Sequence, residues 1–576
     1  MTGCYAGFKT IDHRVNALLV ENSENLGEGA PAPQVNSYEQ VTSTEEDMDN
    51  KQPSTWNPSA DQLTYVPTAK TDAEEVLQRL DAYQQAADNA PVIGLQEALE
   101  WSFSNSQEYQ FAEEDYVLSC LALLIEQHRW VPRISDTLIP TYDANAIRTE
   151  SDDRLYETAF RLVNEWQVEQ KLPYGGQVTA GWLSTFSKEL HGKVGSSENP
   201  SELTSQFNLG ASIPFLRGAG PVAQESLIQS ERNVVYAARK FESFRREFLV
   251  RITTEFLNLQ VLRRKLRHQE VSLSYYEQKA SRAMALFQSG RTKRLDAANA
   301  ENDVLSSRSK VAQLWEQYRL AVDQFKRLIG YPIDDDIIIS EEALALAVPE
   351  IEMGGAVEIS LTNRLDLQTE RDQLVDLQRA IRNAENALLP DLNLNLAATA
   401  PSKETGTGGG WTWDGVTPSF RDIDYSAGLS FGLPLDREIE RLAVRQGQIN
   451  LERAQRAFIL FRDTVVINVR AAVRDIDAFL FTLDLQRRNV RVAQLAIDQI
   501  EVDPDRFDLL QTQNAIEQLQ QAQDDRDAAF RDVQVSILKY LERSGQLRVN
   551  PDGTLQLLPG MELLPYDDLA IEGPSA

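Results

Sequence analysis

Two periodicities divide the chain. Over most of its length apolar residues recur every three or four positions, as in helices that bury one stripe. In a few short stretches they alternate with polar or small residues, as in strands with one apolar face. The helical stretches are long. From about Val222 to Gln288 there is neither proline nor glycine, which at 1.5 Å per residue is roughly 100 Å of helix. A break follows at Ser289-Gly290-Arg291, and a second helix is predicted from about Thr292 to Ile329. In it Leu295, Ala298, Asn302, Leu305, Ser309 and Ala312 keep 3-4 spacing; Trp315, Tyr318, Val322, Phe325 and Ile329 continue it in a shifted phase. Such a narrow seam with small residues predicts closely packed, coiled-coil-like helices. A further helix is predicted from about Glu438 to Ile500. It breaks at Asp503-Pro504-Asp505 and returns through Ile516, Leu519, Ala529, Val533 and Ile537 to Leu541.

Four stretches alternate. Tyr425, Ala427, Leu429, Phe431, Leu433 and Leu435 are interleaved with Ser426, Gly428, Ser430, Gly432 and Pro434. Phe207, Leu209, Ala211, Ile213 and Phe215 are interleaved with Asn208, Gly210, Ser212 and Pro214. Leu392, Leu394 and Leu396 flank Asn393 and Asn395, and Val178, Ala180 and Trp182 flank Thr179 and Gly181. These predict two strand hairpins. An apolar face opposite a small or polar one fits a half-buried antiparallel sheet. It also fits a barrel with lipid outside and water inside.

The pattern occurs twice. Asn105-Ser-Gln-Glu-Tyr109 matches Asn363-Arg-Leu-Asp-Leu367 at an offset of 258, and the same offset carries Pro132 onto Pro390. Phe241-Glu-Ser-Phe-Arg245 matches Phe458-Ile-Leu-Phe-Arg462 at 217, and Leu295, Asn299 and Gly330 match Leu510, Asn514 and Gly545 at 215. Blocks recurring in one order mark an internal duplication. Each copy reads helix, strand hairpin, long helix, turn, return helix. The fall in offset puts about 40 extra residues into the first copy, within 141–205. Part of that insertion, Asp152 to Gln170, reads as helical through Leu155, Phe160, Leu162, Val163 and Trp166. The first copy spans 91–330 and the second 331–548. Residues 1–90, with Pro31, Pro33, Pro53, Pro58, Pro67 and Glu45-Glu46-Asp47, read as a flexible extension with a candidate short helix at Asp72–Ala87. Residues 549–576 read as a tail.

The net charge of −30 disfavours nucleic acid as a partner and would favour cations inside a pore. Two cysteines cannot frame a disulfide scaffold; Cys120 lies in the apolar run Val117–Ile125 and reads as buried. The four histidines lack metal-ligand spacing, so no metal or cofactor is expected. No clustered His, Cys, Ser or carboxylate motif supports an enzyme. No run of about 18 apolar residues predicts a transmembrane helix, which leaves transmembrane strands open.

The chain resembles the TolC family of outer-membrane efflux proteins over about 95–547. The resemblance rests on Leu286-Phe287-Gln288-Ser289-Gly290 with Leu295-Asp296-Ala297 and Asn299, and on Leu328-Ile329-Gly330. It rests also on Leu361-Thr362-Asn363-Arg364-Leu365-Asp366-Leu367, Ala387-Leu388-Leu389-Pro390-Asp391-Leu392, and Gly428-Leu429-Ser430 leading to Leu433-Pro434-Leu435. The resemblance implies a mostly α fold with a small β part: a barrel of long helical hairpins and a transmembrane β-barrel shared by a homotrimer. Each subunit would give four strands to twelve. It also implies a passive exit duct of a tripartite efflux or type I secretion system, set in outer-membrane lipid and reaching through the periplasm to an adaptor and an inner-membrane pump. The alternative is a structural or adaptor-like coiled-coil protein of the cell envelope.

In the family the periplasmic end narrows to a gate with acidic rings. The matching stretch offers Asp503, Asp505 and Asp508, with Arg506 as a tie; the equivalent turn of the first copy is Ser289, Gly290 and Arg291. A trimer would make each Asp a ring of three. The plainer reading is a turn and a helix cap. The second copy departs from the family in having Asp503-Pro504-Asp505-Arg506 where a glycine is expected. Thr2-Gly3-Cys4 matches the end of a lipoprotein processing site, without the apolar region that precedes one. The expectation is a lipid on Cys4 and a sequence that starts late; the alternative is an exposed, functionless cysteine. Trp182, Trp411 and Trp413 fit either an interfacial girdle or loop packing. The glycines 406–410 lack the Lys-Ser/Thr of a phosphate loop and are read as an extracellular hairpin loop.

Overall fold

The computed structural model describes residues 8–26, 33, 90–148, 154–191, 201–402, 418–502, 507, 509–550 and 562–565. The chain opens on α1 (Phe8–Leu26). Ile11, Val15, Leu19 and Ser23 recur every fourth residue there, and Val15 and Leu19 are buried. This helix lies inside the stretch whose composition reads as an extension. Asp72–Ala87 lies outside the described residues.

The first copy runs through β1 (Val92–Ile93), α2 (Leu95–Asn105), α3 (Gln107–His128), β2 (Arg133–Arg148), β3 (Arg154–Lys171), β4 (Gln177–His191), β5 (Ser201–Pro214), α4 (Glu225–Gln288) and α5 (Arg294–Ile329). The second runs through β6 (Ile338–Ile339), β7 (Glu342–Ala345), α6 (Met353–Asn363), α7 (Leu365–Asn386), β8 (Asp391–Ala400), β9 (Asp424–Gly432), α8 (Glu438–Val502) and α9 (Leu509–Arg543). β10 (Glu562–Pro565) follows and pairs antiparallel with β7. The helices α4 and α8 have 64 and 65 residues, against a usual length of about 12.

Two compact units form. One holds 1–117, 237–369 and 459–576; the other holds 118–236 and 370–458. The second unit contains one sheet of six strands in the order β2-β3-β4-β5-β8-β9, antiparallel throughout. Two expectations are corrected here. Among the described residues six strands form the sheet, not four. The insertion's helical-looking segment, Asp152–Gln170, falls on strand β3 where it is described. Its apolar residues lie on alternate positions, Phe160, Leu162, Trp166 and Val168, and the off-phase Val163 is what suggested a helix.

In the first unit the long helices pack side by side. A buried cluster joins Tyr276 of α4, Val304 of α5, Ala493, Ile497 and Ile500 of α8, and Ala515, Ile516, Leu519 and Ala522 of α9. In α5 the chain's own contacts cover only one of two stripes. The buried seam is Ala297, Ala300, Val304, Ser307, Leu314, Tyr318, Val322, Phe325 and Ile329. The stripe beginning Leu295, Ala298, Asn302 and Leu305 is exposed, with Leu295 at 66% and Leu305 at 59%. The two stripes share one 3-4 spacing, and periodicity alone cannot say which of them the same chain covers.

The duplicated landmarks meet in space. Gly330 and Gly545 both have φ near +70° and both stop a return helix. A Cβ on Gly330 would collide with the Asn105 carbonyl, and one on Gly545 would lie 3.2 Å from Asn363. Each glycine therefore lets a helix end close against the break between two short helices, α2–α3 in one copy and α6–α7 in the other. Ser106 Oγ donates to Leu328 O at 2.9 Å, and Arg364 donates to Arg543 O at 3.3 Å.

Candidate membrane sheet and hairpin-turn helices

The six strands are registered so that like residues line up across them. One row reads Ile134, Val168, Ala180, Leu209, Ala398, Tyr425. One step along the strands, the opposite face reads Ser135, Gln167, Gly181, Asn208, Thr399, Asp424. Residues two apart share a face, so the sheet has one apolar face and one polar or small face. The described residues leave the apolar face uncovered: Tyr425 is 78% exposed, Leu429 65%, Phe431 64% and Ile134 55%. A contiguous apolar surface of this kind marks contact with lipid or another protein. Ser212, Asn395 and Ser430 hydrogen-bond in series on the polar face, at 2.9 Å and 3.2 Å. Trp166 and Trp182 pair across strands on the apolar face, and both are exposed. No described helix is long and apolar enough to cross a membrane.

The helical unit carries the first expected turn. Ser289, Gly290 and Arg291 are exposed between α4 and α5. Gly290 has φ +74°, and Arg291 N–H donates to Leu286 O at 2.9 Å, which closes α4 in the usual left-handed stop. The Asp296 carboxylate accepts from Thr292 Oγ1 at 2.9 Å and from Lys293 N–H at 3.3 Å, which opens α5. Asp503, Asp505, Arg506 and Asp508 lie outside the described residues, as do Cys4, Trp411, Trp413 and the glycines 406–410.

Periodicity did not single out the polar residues that tie the two helical hairpins together. Gln269, Ser272, Tyr276, Lys279 and Ala283 are buried at alternating three- and four-residue spacing on α4. Lys279 Nζ lies 2.8 Å from Asp303 of α5 and 3.3 Å from Gln513 of α9. The Tyr276 hydroxyl donates to Glu517 of α9 at 3.4 Å; burial first, then the Glu517 and Asp303 carboxylates, hold its phenol above the usual range. Gln269 donates to Ser307 of α5 at 3.0 Å and accepts from Gln520 of α9 at 2.7 Å. His268 Nδ1 lies 2.8 Å from Asp524. The signal for these was a lysine and glutamines at positions where a seam is normally apolar. Buried polar groups of this kind fix register at a cost in stability. Among the described residues no group of three or more His, Cys, Asp or Glu is placed to hold a metal.

The family model described as outer membrane efflux protein matches residues 165–331. No curated protein sequence matches. Among solved structures, the CmeC outer membrane channel of Campylobacter jejuni is similar at 13% identity, covering 81% of this chain and 87% of that one, with a TM-score of 0.57. The outer membrane protein VceC of Vibrio cholerae is similar at 12%, covering 78% and 96%, with a TM-score of 0.56. The open state of the MtrE outer membrane channel of Neisseria gonorrhoeae is similar at 13%, covering 80% and 90%, with a TM-score of 0.54. At these identities the structures speak for the fold. The match over residues 165–331 and the shared fold make this chain similar to the TolC-type outer-membrane efflux proteins, which are outer-membrane channels.

Proposed function

We propose that the chain is the passive exit duct of a tripartite efflux or type I secretion system, works as a homotrimer and catalyses no reaction. The observation that carries this is the pair of rows across the sheet. An uncovered apolar row backed by a polar one is what a water-filled strand barrel in lipid requires. A protein whose sheet packed only against its own core would not leave Tyr425, Leu429 and Phe431 bare. The two helical hairpins, joined by polar ties, would supply the periplasmic duct. An adaptor and an inner-membrane pump would engage that duct and drive transport, since nothing in the chain's motifs supplies energy. Cys4 would carry a lipid that anchors the chain.

The gate is proposed at the two hairpin turns: Asp503, Asp505 and Asp508, with Arg506, on one side, and Ser289, Gly290 and Arg291 on the other. The test is conductance of the purified protein in a planar bilayer. Discrete, cation-preferring channels are expected from a net charge of −30. The double variant Asp503→Ala, Asp505→Ala should weaken cation preference and cation block; unchanged selectivity would remove those aspartates from the gate. A sample that is monomeric and stays soluble without detergent would overturn the channel reading itself. Mass spectrometry of the native N-terminus tests Cys4, and an unmodified thiol would end the anchor.

A further inference from the structure

The duplication identifies which strands are additional. The offset of 258 carries Arg133, the first residue of β2, onto Asp391, the first of β8. At the offset of 217, β5 and β9 end within one residue of each other. β2 and β5 therefore correspond to β8 and β9. The strands without a counterpart are β3 and β4, and with the segments beside them they account for the 40 or so extra residues. The insertion is a strand hairpin placed inside the first copy's own hairpin.

This hairpin is part of the sheet and not an appendage to it. β3 pairs with β2 over the whole of β2, and β4 pairs with β5 from Gln177 to Lys188. The apolar row passes through it without a change of phase, as Val168 and Ala180 between Ile134 and Leu209; the polar row passes as Gln167 and Gly181. Its turn is fastened at the base: Gly220 N–H donates to Tyr174 O, and Gln224 Nε2 donates to Pro173 O, both at 2.9 Å. Gly175 and Gly176 take φ of +101° and +84°, and a Cβ on Gly176 would strike the backbone of Ser212. The turn is thus built to lie against β5.

Among the described residues the sheet ends on β2 and β9, each paired on one side only. In a bilayer an open strand edge is not tolerated, because unpaired N–H and C=O groups there have no water. A meander with an even number of strands presents antiparallel edges, so β9 of one copy fits β2 of the next. We infer that each copy contributes six strands, with β9 pairing to β2 of a neighbouring copy, so that three copies close an eighteen-stranded barrel. This rests on the trimeric channel reading. Barrel diameter grows roughly linearly with strand number, so the wall is about half again as wide as one of twelve strands. The inserted hairpin is lipid-facing wall, with Trp166 and Trp182 against the bilayer.

The test is electron cryomicroscopy of the full-length protein in lipid nanodiscs, with strands counted around the ring. Eighteen strands, with β9 beside the next copy's β2, is the expected result. A trimeric channel of any other strand number, with β3 and β4 folded away from the wall, overturns the inference and leaves the channel reading standing. A protein that neither inserts nor forms a ring overturns both. A solution measurement reads the same point independently. In vesicles of brominated phosphatidylcholine, tryptophan fluorescence of the parent should be quenched, and Trp166→Phe with Trp182→Phe should lower the quenched fraction. An unchanged quenched fraction in that double variant would put the hairpin out of lipid.

Discussion

At the residue scale, the most informative groups are charged side chains that the helices bury in part or in whole. Glu113 of α3 is pushed up to about 7, chiefly by burial, with Arg245 opposing and Glu114 adding to the rise. Its folded pKa then lies above its ordinary 4.5. Between those values the folded state binds more protons than the unfolded one, so stability falls as pH rises. The contribution is fully present below about 4.5 and lost through about 7. Glu113→Gln is therefore expected to raise the melting temperature at pH 8 and to leave it nearly unchanged at pH 5, as thermal scans at the two pH values would read. Arg245 is the converse case. It is wholly buried, 2.7 Å from Glu242 and 3.0 Å from the Asn550 carbonyl. Arg245→Met would strand part of the Glu242 charge, which retains Arg246 at 2.9 Å, and should cost about 3 kcal/mol in denaturant unfolding. Cys120, buried and pushed up to about 11 by that burial, should not react with maleimide until the chain unfolds.

At the element scale, the duplication makes much of the fold legible in the sequence. Asn105 with Asn363, and Gly330 with Gly545, were matched as letters at fixed offsets, and each asparagine proves to lie against its glycine. The letters recur because the close approach recurs. The two contacts are not equally tight, which sets an order: Gly330→Ala should destabilise more than Gly545→Ala. Losses of about 1–3 kcal/mol are expected at such strained positions. Equal melting points for the two variants would contradict the geometry.

The strands were half legible. β4, β5, β8 and β9 announced themselves through small or polar residues in strict alternation. β2 hides behind Pro140 and Asp136, and β3 behind Val163, since each breaks the alternation of its strand. The polar ties of α4 were illegible for a different reason: a lysine on a helix is normally solvated, and only its packing against Asp303 and Gln513 shows otherwise. The proposed gate was legible as a turn and no further, since Asp and Pro between helices serve a turn equally well. If the ties hold the hairpins closed, Lys279→Met should raise channel open probability in a planar bilayer. An unchanged open probability would make the tie purely structural.

At the scale of the whole molecule, the question is what covers the apolar surface that one chain leaves bare. On α8 an exposed stripe runs Phe481, Leu485, Val492, Leu495 and Val502, with Phe481 at 72% and Val492 at 69%. Its spacing is that of a helix seam, with Arg488 and Gln499 filling the intervening positions. On α5 the uncovered stripe through Leu295 and Leu305 has the same character. On the trimeric reading proposed above these would be second seams, in addition to the ones already buried within the chain, because a ring of copies would use both sides of each helix. Burying one leucine is worth about 2 kcal/mol, so several in register exceed what a soluble monomer normally leaves exposed. Val492→Glu with Leu495→Glu should then weaken the proposed trimer without unfolding the helices, because neither side chain belongs to the internal cluster of Ala493, Ile497 and Ile500. Sedimentation in detergent should show a shift from trimer to monomer, with the helical circular dichroism of the parent retained. A variant that stayed trimeric would mean that the α8 stripe is not the contact between copies, and that pairing of sheet edges alone holds the ring.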